Sequence, residues 1–209
     1  DLLNNGMTKK PIKVVGYGNC RGIDLKRFDR TPEVMEQAGR LRKEGVCTFI
    51  AVGRIVGDKG INELVEAFVK LNRENADTRL ILVGGYEEKL DPLKPETLSL
   101  IKNNDAIESV GSQSDVRPWF AASDVAVLAS YREGFPNVVI EAGAMGLPQI
   151  VTDINGANEI IIEGVNGTIV PSKYFFNGVT PAFIQSTVGS SLGISEADSI
   201  IVCPLSPKK

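Results

Sequence analysis

Two short runs of the chain bring together side chains that could handle an anionic or polyhydroxylated ligand. The first is Val52-Gly53-Arg54-Ile55-Val56-Gly57-Asp58-Lys59-Gly60, between an apolar strand pattern and a helical one. A helix start offers unpaired N–H groups and a partial positive charge. Arg54 adds a planar fork and Lys59 a compact charge, a set suited to a diphosphate. Solvated surface cations beside a helix start are the competing reading. The second run is Glu133-Gly134-Phe135-Pro136-Asn137-Val138-Val139-Ile140-Glu141. Pro136 suits a first helical turn, which leaves Glu133 in the loop ahead of it. Gly134 lets a ligand approach the backbone closely. The amides of Asn137 and Val138 point out of the helix start. Glu141 is the only charge between positions 138 and 148, and a carboxylate in such a run needs a partner or water. The hydroxyls of a sugar or ribose would serve, as would a cap or salt bridge to a neighbouring element. Gly84-Gly85 and Gly111-Ser112-Gln113 also follow apolar runs; the first reads as a turn and the second could line a base pocket.

The absences narrow the chemistry. The 209 residues include no histidine, so a Ser-His-Asp triad, a Cys-His pair and histidine zinc sites are out. Cys20, Cys47 and Cys203 form neither a CxxC nor a disulfide framework, which fits a reducing cytoplasm. No metal-ligand cluster and no cofactor fingerprint is present: neither the dinucleotide glycine motif nor the P-loop occurs. A net charge of −3 argues against a general nucleic-acid partner. No apolar run is long enough to span a membrane, and no signal peptide opens the chain. The chain begins at Asp1 rather than Met, which reads as a cut.

The elements that must position these runs alternate between strand and helix. Strands are expected at 12–15, 48–52, 79–83, 107–110, 125–129, 149–152 and 167–170. Helices are expected at 32–43, from about 59, at 94–103, 115–121, 136–145 and 158–162. In the helix after position 59, Ile61, Leu64, Val65 and Phe68 fall on one face. Such alternation predicts an α/β fold, a Rossmann-like doubly wound parallel sheet of about six strands with helices on both faces. Ligands of such folds bind at the carboxyl ends of the strands, which directs attention to loops 53–59, 84–88, 111–115 and 130–136. Residues 1–30 read as a connecting segment, 31–172 as the Rossmann-like domain, and 173–209 as an irregular tail.

With these runs in order, the stretch 48–171 resembles the C-terminal, donor-binding domain of the retaining "group 1" glycosyltransferases, one half of a GT-B fold. VGRIVGDKG resembles the family's diphosphate loop and LILVGG its next strand. SDVAVLASYREGFPNVVIEAGAMGLPQIVTDINGANEII resembles its signature, including two glutamates separated by seven residues. EGVNGTIV resembles its late strand, and the segment 18–28 resembles the connection between the family's two domains.

The resemblance implies roles. Arg54 and Lys59 would hold the diphosphate of a nucleoside-diphosphate sugar, UDP- or GDP-linked. Glu133 would be the catalytic carboxylate beside the sugar. The backbone of Gly134, Phe135, Asn137 and Val138 would bind sugar and phosphate, Glu141 the ribose hydroxyls, and Gln113 the base. It implies metal-independent hexosyl transfer with retention, in polysaccharide biosynthesis. It also implies a cytoplasmic protein, peripheral at the inner membrane face where acceptors are lipids. Family members are about twice this length. The acceptor-binding half is therefore expected to be missing, and the chain alone to be inactive. The alternative is a stand-alone nucleotide or nucleotide-sugar binding module without catalysis.

Overall fold

A computed structural model describes residues 22–171 of the protein. The expected strand at 12–15, the glycine-rich lead up to position 21 and the tail at 173–209 lie outside the described residues.

The first helix, α1 (Pro32–Leu41), is capped by Thr31, whose side chain accepts from the Val34 amide, and Pro32 occupies its first turn. It buries only Val34 and Ala38, as its polar sequence requires. Strand β1 (Cys47–Val52) leads through a 3-10 turn (Gly57–Lys59) into α2 (Ile61–Glu74). Then follow β2 (Thr78–Val83), α3 (Pro95–Asn103), β3 (Ile107–Gly111), α4 (Arg117–Ala121), β4 (Val125–Leu128), α5 (Asn137–Ala144), β5 (Gln149–Thr152) and β6 (Gly167–Val170).

All six strands are parallel and ordered β3-β2-β1-β4-β5-β6. This is the doubly wound Rossmann order. The chain starts at the centre, builds outward to β3, then returns to the other side of β1 with β4. The point of reversal lies between β1 and β4.

Alternation along the strands divides the core. Phe49, Ala51, Leu80, Leu82, Val125 and Val127 pack with Leu64, Val65 and Phe68 of α2 on one face. Ile50, Ile81, Val83 and Ala126 pack with Val34 of α1, Phe120 of α4 and Ala142 of α5 on the other. Successive side chains of a strand point to opposite faces, so both faces must be apolar for a sheet covered twice. Each fully buried aliphatic side chain contributes about 1.5–3 kcal/mol. Val65 is 0% exposed, so a charge there would unseat α2.

Two helical expectations need correction. The helix after β1 begins at Ile61 rather than at 59, because Gly60 is left-handed (φ 66) and separates it from the 3-10 turn. The stretch 158–162 is no helix: residues 158–160 are turn and 161–162 irregular. Its amides bond locally, Ile160 and Ile161 both donating to the Ala157 carbonyl, and the Asn166 side chain takes the Ile162 N–H. Elsewhere the ends shift slightly. Pro136 precedes α5 as its N-cap residue instead of lying in the first turn, and α4 starts at Arg117, whose amide donates to the Asp115 carboxylate.

Of the segment 1–30, expected from the sequence to be a connection, residues 22–30 are described, and they pack on the sheet and helices that follow. Arg30 Nε donates to the Met145 carbonyl, Arg117 donates to the Arg27 carbonyl, and Phe28 joins the second core face. Among the described residues no helix is long and apolar enough to cross a membrane.

Candidate functional site

The loops that leave β1 and β4 face each other at the reversal point. They enclose a cleft of about 290 Å³ walled by Gly53, Arg54, Lys59, Glu133, Asn137 and Val138, among others. Six residues drawn from both predicted runs thus meet in one place, although the runs are far apart in the chain.

Close backbone approaches shape the β1 loop. A Cβ on Gly84 would lie 1.7 Å from the Gly53 carbonyl oxygen, and Ile55 bridges Tyr86 in parallel. The loops after β1 and β2 therefore touch, which brings Arg54 to Glu87 at 2.8 Å. Further along, Asp91 anchors the 3-10 turn by accepting the Asp58 amide at 2.5 Å. At the turn's end, Gly60 passes so near β4 that a Cβ would lie 2.0 Å from the Ala129 carbonyl oxygen. That proximity carries Lys59 across to the β4 loop. Its Nζ donates to Glu133 Oε1 at 2.5 Å, and the Ser130 hydroxyl donates to the same oxygen at 2.8 Å.

The two ion pairs differ in environment. The Arg54–Glu87 side chains are 55% and 34% exposed, so solvent screens that pair, and such pairs are worth about 0–1 kcal/mol. The Lys59–Glu133 side chains are 22% and 17% exposed. There the Coulombic term is less screened, and removing one partner leaves the other poorly solvated. Both cations expected to hold a diphosphate thus carry a carboxylate partner in the free protein. The start of α5 completes the wall, with Pro136, Asn137 and Val138 at the cleft and their helix axis contributing partial positive charge.

The remaining predicted residues stand outside this wall. Gly134 is exposed and Phe135 is half-buried, in the loop between Glu133 and α5. Glu141 lies one turn further along α5 and is half-buried. Burial pushes its carboxyl above the usual range, and the Arg27 charge in the connecting segment partly opposes this. Gln113 follows β3, and its side-chain amide donates back to the Val110 carbonyl at 2.7 Å. No cluster of metal-ligating side chains occurs among the described residues.

Sequence reasoning reached Ser130 and Glu87 only as members of the loops 130–136 and 84–88, without singling either out, and missed Thr152 and Asp91. Ser130 carried a usable signal, since it stands at the end of an apolar strand three residues before Glu133. Thr152 and Asp91 are brought in by tertiary contacts alone.

Residues 46–180 match the family model described as "Glycosyl transferases group 1". The chain is 30% identical over 174 residues to the capsular polysaccharide biosynthesis glycosyltransferase CapM of Staphylococcus aureus, covering 83% of this chain and 46% of that protein. It is 31% identical over 179 residues to the N,N'-diacetylbacillosaminyl-diphospho-undecaprenol alpha-1,3-N-acetylgalactosaminyltransferase of Campylobacter jejuni, covering 82% and 44%. The chain spans less than half the length of these two relatives. Among solved structures, Anabaena Alr3699/HepE in complex with UDP and glucose matches with a TM-score of 0.65 and 22% identity, over 81% of this chain and 49% of that one. The C-terminal domain of a group 1 family glycosyl transferase (LpcC) from Francisella tularensis matches with a TM-score of 0.63 and 23% identity, over 81% and 94%. These structural likenesses are of fold: the six-stranded parallel sheet with flanking helices is that of GT-B glycosyltransferases.

Proposed function

The chain belongs to the group 1 glycosyl transferases, and from that premise we propose that it is the sugar-donor half of such an enzyme. It binds a nucleoside-diphosphate sugar in the cleft between the β1 and β4 loops. The observation that carries this reading is the meeting of Lys59, Glu133 and the α5 start at the reversal point of the sheet. Open α/β sheets bind ligands at that point.

The roles follow from the chemistry of each group. As the sugar–phosphate bond breaks, negative charge builds on the diphosphate. Lys59, Arg54 and the N–H groups at the start of α5 stabilise that charge from fixed positions. They would do there what a divalent ion does elsewhere, so transfer is expected to proceed without added metal. Glu133, reaching the cleft from the other loop, accepts hydrogen bonds from hydroxyls of the hexose. Gly134 lets the sugar lie close to the backbone, with Phe135 beside it, and the amides of Asn137 and Val138 take phosphate oxygens. Glu141 is set back from the cleft wall, and it is assigned the ribose hydroxyls, which would relieve a half-buried carboxylate. The Gln113 backbone is assigned the base. Transfer with retention of configuration is part of this reading and rests on the family.

At about 290 Å³ the cleft stands at the lower end of the roughly 300–1,000 Å³ of ordinary ligand sites, and Glu141 and Gln113 extend the site beyond its wall. Holding the acceptor is assigned to structure outside residues 22–171, and these residues alone are expected to bind without transferring. Calorimetric titration with UDP, GDP, ADP and their hexose conjugates, with and without EDTA, tests the proposal. Saturable binding of one nucleotide series, unchanged by EDTA, is expected. Absence of binding to all of them would remove it.

A further inference from the structure

The strand and loop after β4 carry Glu133, and a second loop grips them from both sides. We infer that Thr152, the last residue of β5, and the segment after it, residues 153–157, form a bracket that holds Glu133 in register with the cleft, with Ser130 and Thr152 as positioning residues. The inference rests on the proposed sugar-nucleotide reading and names what orients the sugar end of that site.

Three contacts carry it. First, the Thr152 hydroxyl, 0% exposed, donates to the Ser130 carbonyl at 2.6 Å. The β4–β5 ladder ends at the pair Leu128–Val151, so this side chain prolongs the grip beyond the last paired residues. Second, Ser130, also 0% exposed, turns its own hydroxyl to Glu133 Oε1 at 2.8 Å. Third, Gly156, left-handed at φ 81, packs beneath the far end of the same loop. A Cβ there would lie 2.2 Å from the Gly134 carbonyl oxygen and 2.9 Å from Phe135 Cα. Glu133 therefore stands between two fixed points, one at Ser130 and one at Gly134. The bracket is itself anchored. The Asp153 amide donates to the Val170 carbonyl of β6 at 2.8 Å, and Ile154 and Ala157 are buried against α5.

The physical need for a second anchor comes from Lys59. In the free protein both Lys59 and Ser130 hold Oε1. When a diphosphate engages Lys59, that cation is shared and its hold on Glu133 weakens. Ser130 then keeps the flexible glutamate side chain in place, with Oε2 turned to a sugar hydroxyl. Loss of the bracket should leave recognition of the diphosphate intact and remove recognition of the sugar.

The test compares the whole chain with Ser130→Ala, Thr152→Val and Thr152→Ser. The probes are UDP, GDP and ADP against UDP-glucose, GDP-mannose and ADP-glucose, by calorimetry, with hydrogen exchange of the 131–135 amides measured in parallel. That group includes the Tyr131 amide, which donates to the Asp58 carbonyl at 3.1 Å. Ser130→Ala and Thr152→Val should bind the bare nucleotide within about twofold of wild type and lose about five- to tenfold in the preference for its hexose conjugate, the scale of one ordinary net hydrogen bond. Thr152→Val should speed exchange at 131–135. Thr152→Ser keeps the hydroxyl and should restore both, which separates positioning from damage to the fold. Wild-type sugar preference and wild-type exchange in Ser130→Ala and Thr152→Val would overturn the bracket. A wild-type chain that binds none of the probes would overturn the nucleotide-sugar reading instead, and the exchange of Thr152→Val against Thr152→Ser would then decide the bracket alone.

Discussion

Removing the charge of Glu133 should tighten the binding of a bare nucleoside diphosphate. In the free protein the Lys59 ammonium lies 2.5 Å from Glu133 Oε1. An incoming diphosphate must draw on the same ammonium, and the carboxylate next to it repels the added negative charge. Glu133→Gln removes that competition and retains an oxygen to accept from Ser130. The pair is about one-fifth exposed on each side, at 22% and 17%, so solvent discounts the effect less than at the surface. Replacing a charge-assisted bond by a neutral one costs about 1–1.5 kcal/mol, which corresponds to roughly five- to tenfold tighter binding of the matching nucleoside diphosphate. For the sugar conjugate the gain should vanish or reverse, because the carboxylate that met the hydroxyls is gone. Calorimetry at fixed ionic strength measures both. Unchanged or weaker binding of the bare nucleotide by Glu133→Gln would refute the claim that Glu133 and the diphosphate share Lys59.

Lys59→Met should weaken diphosphate binding by about 1.5–3 kcal/mol and lower the melting temperature, since it strands Glu133; unchanged affinity by calorimetry would remove Lys59 from the site. Arg54→Ala should weaken binding by less, and Glu87→Gln should hardly move the melting temperature, because that pair is half-exposed and worth about 0–1 kcal/mol; thermal denaturation and titration check each. Glu141 has a folded-state pKa raised by burial, so its ionised form opposes folding: that penalty is complete above the raised pKa and disappears below the unfolded one. Glu141→Gln should therefore raise the melting temperature at neutral pH, with the advantage fading as pH falls through the carboxylate range, and a pH-independent difference would contradict the burial argument. Gly60→Ala meets both a left-handed φ of 66 and a Cβ position 2.0 Å from the Ala129 carbonyl, so it should cost about 2 kcal/mol or more in stability by chemical denaturation.

The fold was legible because its signals are local and repeated. Continuous apolar runs at β1, β2 and β4 mark strands buried on both faces, and the spacing of Ile61, Leu64, Val65 and Phe68 marks the buried side of α2. The misreadings occur where a tertiary contact overrides the local pattern. The stretch 158–162 lies between two strands where the alternation calls for a helix, yet it is too short to sustain one and its amides find turn partners first. Gly60 separates the 3-10 turn from α2 because the Ala129 carbonyl leaves no room for a Cβ, and nothing in residues 57–61 announces that neighbour.

The same distinction separates what was readable in the site from what was not. Arg54, Lys59 and Glu133 were assignable to strand-end loops from residue type and glycine spacing. Their mutual pairing was not, because Lys59 and Glu133 stand 74 positions apart and Arg54 and Glu87 stand 33 apart. Two strands intervene between β1 and β4 in the chain, whereas in the sheet β4 is the direct neighbour of β1. The reversal of strand order therefore does more than open a crevice. It sets a cation-bearing loop against a carboxylate-bearing one, so Lys59 and Glu133 neutralise each other, and on the proposed reading a ligand would bring both an anion and hydroxyls to replace that contact. An inorganic anion satisfies Lys59 and strands Glu133; a neutral sugar satisfies Glu133 and leaves Lys59 where it was. On the proposed reading only a ligand that joins the two chemistries restores both partners, and the selectivity expected of the site would follow from the order of the strands.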